Sequence, residues 1–267
     1  MSRAIDDLYE GFNRRELWLA LGWQDIKQRY RRSVIGPFWI SIATAAQAAA
    51  MGILYSQLLH LPVREMLPWV TVGLIVWNVV RSSIVEGSEV FISNDGLIKF
   101  LPAPLSVHVY RLVWRQLLFF MHNMVVYAIV VVACGTWRQM SWYVLLAFPA
   151  MILIAFNAAW VAIVFGILST RYRDLLPIFD SLTLMLFVLT PVMWTTKGLN
   201  LNERMTERLK IAELVPTFHY LEIVRAPLIG DPIRWFPWVV VTSATVSGWA
   251  VALFMFRRYR SRIAYWV

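Results

Sequence analysis

Long stretches of the chain contain no Asp, Glu, Lys or Arg. There are 31 such residues between Arg32 and Arg64, 22 between Arg115 and Arg138, 32 between Arg138 and Arg171, and 22 between Arg234 and Arg257. Another 22, from Leu175 to Thr196, are broken only by Asp180, and 15 lie between Glu65 and Arg81. A helix needs about 20 apolar residues to cross roughly 30 Å of hydrocarbon. The expectation is an all-α membrane protein with six transmembrane helices, near 35–59, 66–86, 107–134, 141–169, 176–195 and 235–256. Composition agrees: 59% of the 267 residues are apolar and 15% are charged, against roughly 45–50% and 25% in soluble domains. That apolar load excludes a disordered chain, and nucleic-acid binding finds no support in the net charge of +9.

The charge has a better explanation as a topology signal. Seventeen of the 25 basic residues fall before the first span, in the second and fourth connections or the span ends beside them, or after the last span. Basic residues favour the cytoplasmic side, so both termini are expected there. The second span is the weakest, because its clean window reaches only about 22 Å at 1.5 Å per residue. It must run past Arg81, which either snorkels to the membrane edge or pairs inside the bundle.

Outside the spans, Ile5, Leu8, Tyr9 and Phe12 recur at helical spacing. Residues 4–30 are read as one amphipathic helix in the inner interface, within a segment covering 1–33 ahead of a six-span domain at 34–267. Trp18 and Trp23 would anchor it, and Tyr30 stands beside the cluster Lys27, Arg29, Arg31 and Arg32, placed against lipid head groups. Gly36-Pro37 suits a sharp turn into the first span. The connection 86–101 predicts a short helix ending near Asn94 with Gly96 as its stop. Its Leu97, Ile98, Phe100 and Leu101 form an apolar patch, either docking a partner or packing on the bundle. The loop 196–233 is amphipathic and proline-punctuated, which fits two outer re-entrant helices shielded by protein.

Several chemistries lack their motifs. No GxxxxGK[ST] or GxGxxG occurs, so the usual phosphate-cradling loops are missing. The four histidines are scattered, and no metal site or cofactor is expected on this chain. Cys134 is the single cysteine and is read as a small hydrophobe. The first apolar run begins after Arg32, so it is expected to be a retained anchor rather than a cleaved signal. Glu86 and Glu89 read as a solvated or partner-facing pair. Gln47, Asn78, His122, Asn123 and Asn157 read as interhelical hydrogen-bonding groups. Tryptophans at span ends form the interfacial belt. Trp39, Tyr55, Trp77, Tyr127 and Trp160 are candidates for a sugar-stacking channel lining, with core packing as the alternative.

Five segments together carry a resemblance. They are Asp25-Ile26-Lys27-Gln28-Arg29-Tyr30-Arg31-Arg32 running to Gly36-Pro37-Phe38-Trp39; Asn94-Asp95-Gly96-Leu97-Ile98-Lys99 followed by Pro102; Arg171-Tyr172-Arg173-Asp174 with Thr190-Pro191-Val192-Met193-Trp194; Pro216 with His219-Tyr220 and Arg225-Ala226-Pro227; and the terminal Arg260-Ser261-Arg262-Ile263-Ala264-Tyr265-Trp266-Val267. In this order the chain resembles the permease subunit of type-2 ATP-binding-cassette exporters of polysaccharide, which serve O-antigen, capsule and teichoic-acid export.

The resemblance implies a homodimer, joined by two copies of a nucleotide-binding ATPase subunit that holds ATP and Mg. It implies a lipid-linked, O-antigen-like polysaccharide as substrate, moved outward across the inner membrane. Glu86, Glu89, Asn94, Leu97, Ile98 and Lys99 would belong to a coupling helix on the ATPase, with Arg171, Arg173 and Asp174 as a second contact. Residues 1–33 would be the interface helix near glycan entry. Pro191, Trp194, Pro216, Tyr220 and Arg225 would stand near the outer gate. The chain itself would be a transport subunit and not an enzyme. The alternatives are a type-2 exporter of a drug or lipid, and an integral-membrane glycan-modifying enzyme.

Overall fold

The computed structural model describes residues 3–29, 31, 36, 38–100, 103–195 and 210–267, and every regular element among them is helical. The elements are α1 (Arg3–Asn13), α2 (Arg15–Arg29), α3 (Phe38–Leu59), α4 (Val63–Ser88), α5 (Asp95–Phe100), α6 (Ser106–Cys134), α7 (Ala147–Arg171), α8 (Leu175–Leu189), α9 (Pro216–Ile229) and α10 (Trp235–Trp266). Short 3-10 turns precede α5, α7 and α9.

Among the described residues five helices are long and apolar enough to cross a membrane: α3, α4, α6, α7 with its 3-10 start at Trp142, and α10. The sixth expected span, 176–195, is shorter than its charge-free window. The 15-residue α8 stops at Leu189, which gives about 22 Å of rise. Thr190 turns extended, and Pro191 has no N–H with which to continue the helix.

α4, expected to be the weakest span, is the most buried. In its apolar window 67% of residues are buried, against 17% in α3 and 22% in α10. A helix apolar on nearly every face belongs in a core, and Val70, Val72, Leu74, Ile75 and Val76 are all within 1% of full burial. α4 packs against α3, α6, α7, α8 and α9. Arg81 lies near its far end, 3.0 Å from Asp180 of α8, with both side chains about half exposed.

The N-terminal segment is two helices, not one. The chain breaks at Arg14, where the Leu17 N–H turns back to the Arg14 carbonyl. The expected apolar face of α1 also points outward: Ile5, Tyr9 and Phe12 are exposed, while Ala4, Asp7 and Gly11 are buried. The cause is Asp7, whose carboxylate accepts the backbone N–H groups of Leu105 and Ser106. It thereby caps α6 from another helix, where an anion is favoured by the unpaired N–H groups and the helix dipole. Arg260 of α10 donates to the same carboxylate at 2.6 Å, so both ends of the chain meet at one end of the bundle. A lower core cluster of Ala4, Phe91, Val109, Ile163, Phe256 and Ile263 fills this basic end. α9 is enclosed by protein, with Leu221, Ile223 and Val224 no more than 1% exposed.

Candidate functional site

The basic end carries a network of charges between α2, α4 and α6. Arg111 makes a two-pronged contact with the carboxylate of Asp25, and Arg115 reaches the same carboxylate at 2.8 Å. Arg115 also donates to Glu86 at 2.7 Å, and Gln116 donates to the same Glu86 oxygen at 2.8 Å. Arg111 extends the network by donating to the side-chain Oδ1 of Asn94 at 2.9 Å. Arg111 and Arg115 stand four residues apart on one face of α6. Burial tends to raise the Asp25 carboxyl, but the bonds and charges of Arg111 and Arg115 outweigh it and hold the group below its ordinary value of 3.8. Glu86, Asn94, Arg111 and Arg115 line a cavity of about 160 Å³ with His108.

Glu86 and Glu89, three residues apart, therefore separate. Glu86 faces the network, whereas Glu89 is exposed. Beyond α4 the chain turns through Ile92–Asn94 and re-enters helix as α5. Gly96 is not a stop: it lies in the first turn of α5, and its N–H is accepted by the Asp95 side chain at 2.6 Å. Leu97 and Ile98 are half-buried, with Ile98 against the lower cluster, while Phe100 is 86% exposed. Leu101 and Pro102 lie outside the described residues.

The C-terminus joins the two expected contact regions. Lys99 Nζ donates to the Val267 carbonyl at 2.9 Å. The Arg171 guanidinium stands 5.3 Å from the Trp266 ring centre and 5.2 Å from that of Tyr172, within cation–π range. Arg173 and Asp174 are exposed in the turn before α8. Glu89–Lys99 and Arg171–Asp174 thus flank one surface around Trp266–Val267.

A second feature is polar and lies among the apolar helices. α3, α4 and α6 line a partly open cavity of about 330 Å³, whose lining includes Trp39, Gln47, Asn78, Ser82, Gln116 and Asn123. Trp39 and Gln47 are eight apart on α3. Asn78, Ser82 and Glu86 recur every four residues on α4, and Gln116 and Asn123 are seven apart on α6. Each set is one helical stripe. Asn123 is 3% exposed, and its Oδ1 accepts no hydrogen bond from the described residues.

At the opposite end Arg225 of α9 is 1% exposed. It donates to the Pro191 and Val192 carbonyls at 2.7 and 3.1 Å. Trp69 Nε1 donates to the Trp194 carbonyl at 3.3 Å, and the Thr190 and Thr217 hydroxyls share a hydrogen bond. Pro191, Trp194 and Arg225 are thereby brought together. Pro216 sits exposed at the first position of α9, and Tyr220 donates to Asn157 Oδ1 at 2.7 Å.

Of the five candidate lining aromatics, Trp39 alone borders the polar cavity. Trp77 is 4% exposed against Phe187, and Tyr127 is 6% exposed with its hydroxyl on the Leu228 carbonyl. Tyr55 packs on the upper core. Trp160 donates to Asn157 and fills the space over Gly248. Asn157 also binds Thr245, as an interhelical hydrogen-bonding group should. In the N-terminal segment Trp18 packs against Tyr110 and Trp114, while Trp23, Lys27 and Arg31 are exposed. Tyr30, Arg32 and the Arg29 side chain lie outside the described residues, as do 196–209 of the outer loop and Pro37. Asp7, Asp25, Arg111 and Arg115 were not singled out as site residues from the sequence. The four-residue spacing of the two arginines inside an otherwise apolar helix was their signal. Among the described residues no group of three His, Cys, Asp or Glu side chains converges as a metal site would need.

Residues 16–229 match the family described as ABC-2 type transporter. The chain is 26% identical over 196 residues to the O-antigen export system permease protein RfbA of Myxococcus xanthus, covering 73% of each. It is 28% identical over 186 residues to the protein of that name from Klebsiella pneumoniae, covering 68% of this chain and 70% of the relative.

Proposed function

The chain belongs to the ABC-2 type transporter family, and on that premise we propose that it is the transmembrane subunit of an ATP-driven exporter of lipid-linked polysaccharide. The relatives named as O-antigen export permeases support the cargo class. One structural relationship carries the mechanism. α4, the most buried of the five long helices, runs without interruption from the core to the Glu89–Lys99 segment, in which Glu89, Asp95 and Lys99 are exposed. A partner pressing on that segment moves a helix that every neighbour in the bundle must follow.

In this reading the basic end is cytoplasmic, the membrane is the bacterial inner membrane, and the ATPase subunit brings ATP and Mg. Glu89, Lys99, Arg173 and Asp174 supply charges for docking, and Leu97, Ile98 and Phe100 supply the apolar contact. The Asp25–Arg111–Arg115–Glu86 network joins α2, α4 and α6, so displacement of α4 is passed to the N-terminal helices, where the lipid carrier meets the protein. Two copies of the chain would form the path, with α3 exposing Phe38, Trp39, Ile42, Ile53, Leu54 and Leu58. α9 and the rest of 196–233 would act as the outer re-entrant pair around Pro191, Trp194 and Arg225.

The test is co-purification with the candidate ATPase in mild detergent, followed by reconstitution in vesicles with lipid-linked glycan from the host. The expected result is a complex of two permeases and two ATPases whose ATP hydrolysis delivers glycan to the far side. A permease that binds no ATPase and moves no glycan would defeat the proposal.

A further inference from the structure

The cavity between α3, α4 and α6 raises a chemical question: what meets the hydrogen-bonding groups that line it among largely apolar helices? Its walls carry three polar stripes, Trp39 and Gln47 on α3, Asn78 and Ser82 on α4, and Gln116 and Asn123 on α6, interleaved with apolar side chains such as Ile75 and Phe120. Polar groups facing a cavity within the membrane mark a solvated or substrate-bearing path. A volume of about 330 Å³ falls within the roughly 300–1,000 Å³ of small-molecule sites.

The lining also says which part of a glycolipid fits. Arg81 is the one cation among the described lining residues, and its guanidinium is 3.0 Å from Asp180. Glu86 adds a negative charge to the same wall. A phosphate or diphosphate would therefore meet one cation already paired with Asp180 and one carboxylate already paired with Arg115, which leaves no free cationic donor for an anion on the described lining. Neutral amides and a hydroxyl instead offer donors and acceptors side by side, which is what a sugar's hydroxyls match. Trp39, 54% exposed, gives an aromatic face beside them. The Asn123 Oδ1, buried and without a donor among the described residues, calls for an O–H from a ligand or water, because an unmet buried acceptor is costly.

We propose that this cavity is an uncharged-sugar subsite within each single chain, excluding the phosphate part of the carrier. The inference rests on the export reading above and deepens it: the glycan is held by amides on α3, α4 and α6, and the diphosphate stays outside.

Cysteine protection tests it in the assembled transporter. Ser82→Cys is introduced with Cys134→Ser, and labelling by a membrane-impermeant thiol reagent is timed. Ala43→Cys on the facing wall serves as the second variant should Ser82→Cys not assemble. The probes are the oligosaccharide released from the host's lipid-linked glycan by mild acid, and inorganic pyrophosphate. The expected result is labelling slowed several-fold by the oligosaccharide and unchanged by pyrophosphate. Equal protection by pyrophosphate, or no protection by the oligosaccharide, overturns the subsite. Export by the unsubstituted complex is measured in parallel. If that export is present and the cysteine is unprotected, only the subsite falls; if that export is absent, the export reading falls.

Discussion

The Arg225 guanidinium lies 4.2 Å from the centre of the Trp69 ring, joining α9 to α4 through a fully buried charge. The same guanidinium forks onto the Pro191 and Val192 carbonyls, so one side chain gathers three segments. Planar donors that stack and fork together are specific to arginine. Arg225→Met is expected to leave both carbonyls without their donor and to cost about 3 kcal/mol. Arg225→Lys should recover only part of that. Thermal unfolding in detergent checks both; a lysine variant as stable as the parent would show that stacking and forking contribute nothing.

Gly73 lets this contact form. A Cβ built there would stand 2.3 Å from Arg225 Nη2 and 2.4 Å from the Val192 carbonyl oxygen. The side chain could yield, but the carbonyl belongs to backbone. Gly73→Ala should destabilise by about 1–3 kcal/mol through overpacking. Its effect should shrink in an Arg225→Met background, because the two residues share one space. Additive losses in the double variant would separate the two residues.

Glu86 and Glu89 are expected to behave oppositely. Glu86→Lys places a cation against Arg115, in the position now held by the acceptor for Arg115 and Gln116, and should lower the melting temperature of the isolated chain. Glu89 is exposed, so Glu89→Lys should leave the melting temperature nearly unchanged. In the reconstituted transporter it should reduce glycan moved per ATP hydrolysed. A Glu89→Lys complex with undiminished coupling would remove this residue from the docking surface.

The long spans were legible because membrane solvation is a one-dimensional rule, and windows without charge need no knowledge of neighbours. α3, α6 and α10 begin within about three residues of the expected spans, inside the usual scatter of helix boundaries, and so does α7 once its 3-10 start at Trp142 is counted. The failures came where tertiary contacts overrode local pattern. The single N-terminal helix expected became α1 and α2, and Asp7 of α1 was drawn to the start of α6, 98 residues away. Trp77 and Tyr127 went to the core because burial of an aromatic depends on which helices become neighbours. The stripe Asn78-Ser82-Glu86 was readable at four-residue spacing, but its meaning needed Gln47 and Asn123 opposite it. The charge pairs Arg111–Asp25 and Arg115–Glu86 span 86 and 29 residues, beyond any local periodicity.

Asp25 gives the network a defined pH dependence. Its carboxyl is held below 3.8 in the folded chain, so the folded state favours the ionised form. The resulting stability is present in full above that ordinary value and is lost as the pH falls through the lowered one. The side chain is 14% exposed, so solvent screens the pair only in part. Asp25→Asn at neutral pH should cost about 2 kcal/mol, the scale of charge-assisted hydrogen bonds. Melting temperatures of the parent and Asp25→Asn, compared from neutral pH down to about pH 3, should converge as the parent's carboxyl takes up its proton. A gap that stays constant across that range would mean that Asp25 acts by shape and not by charge, and the network would then be a packing feature rather than an electrostatic link between α2 and α6.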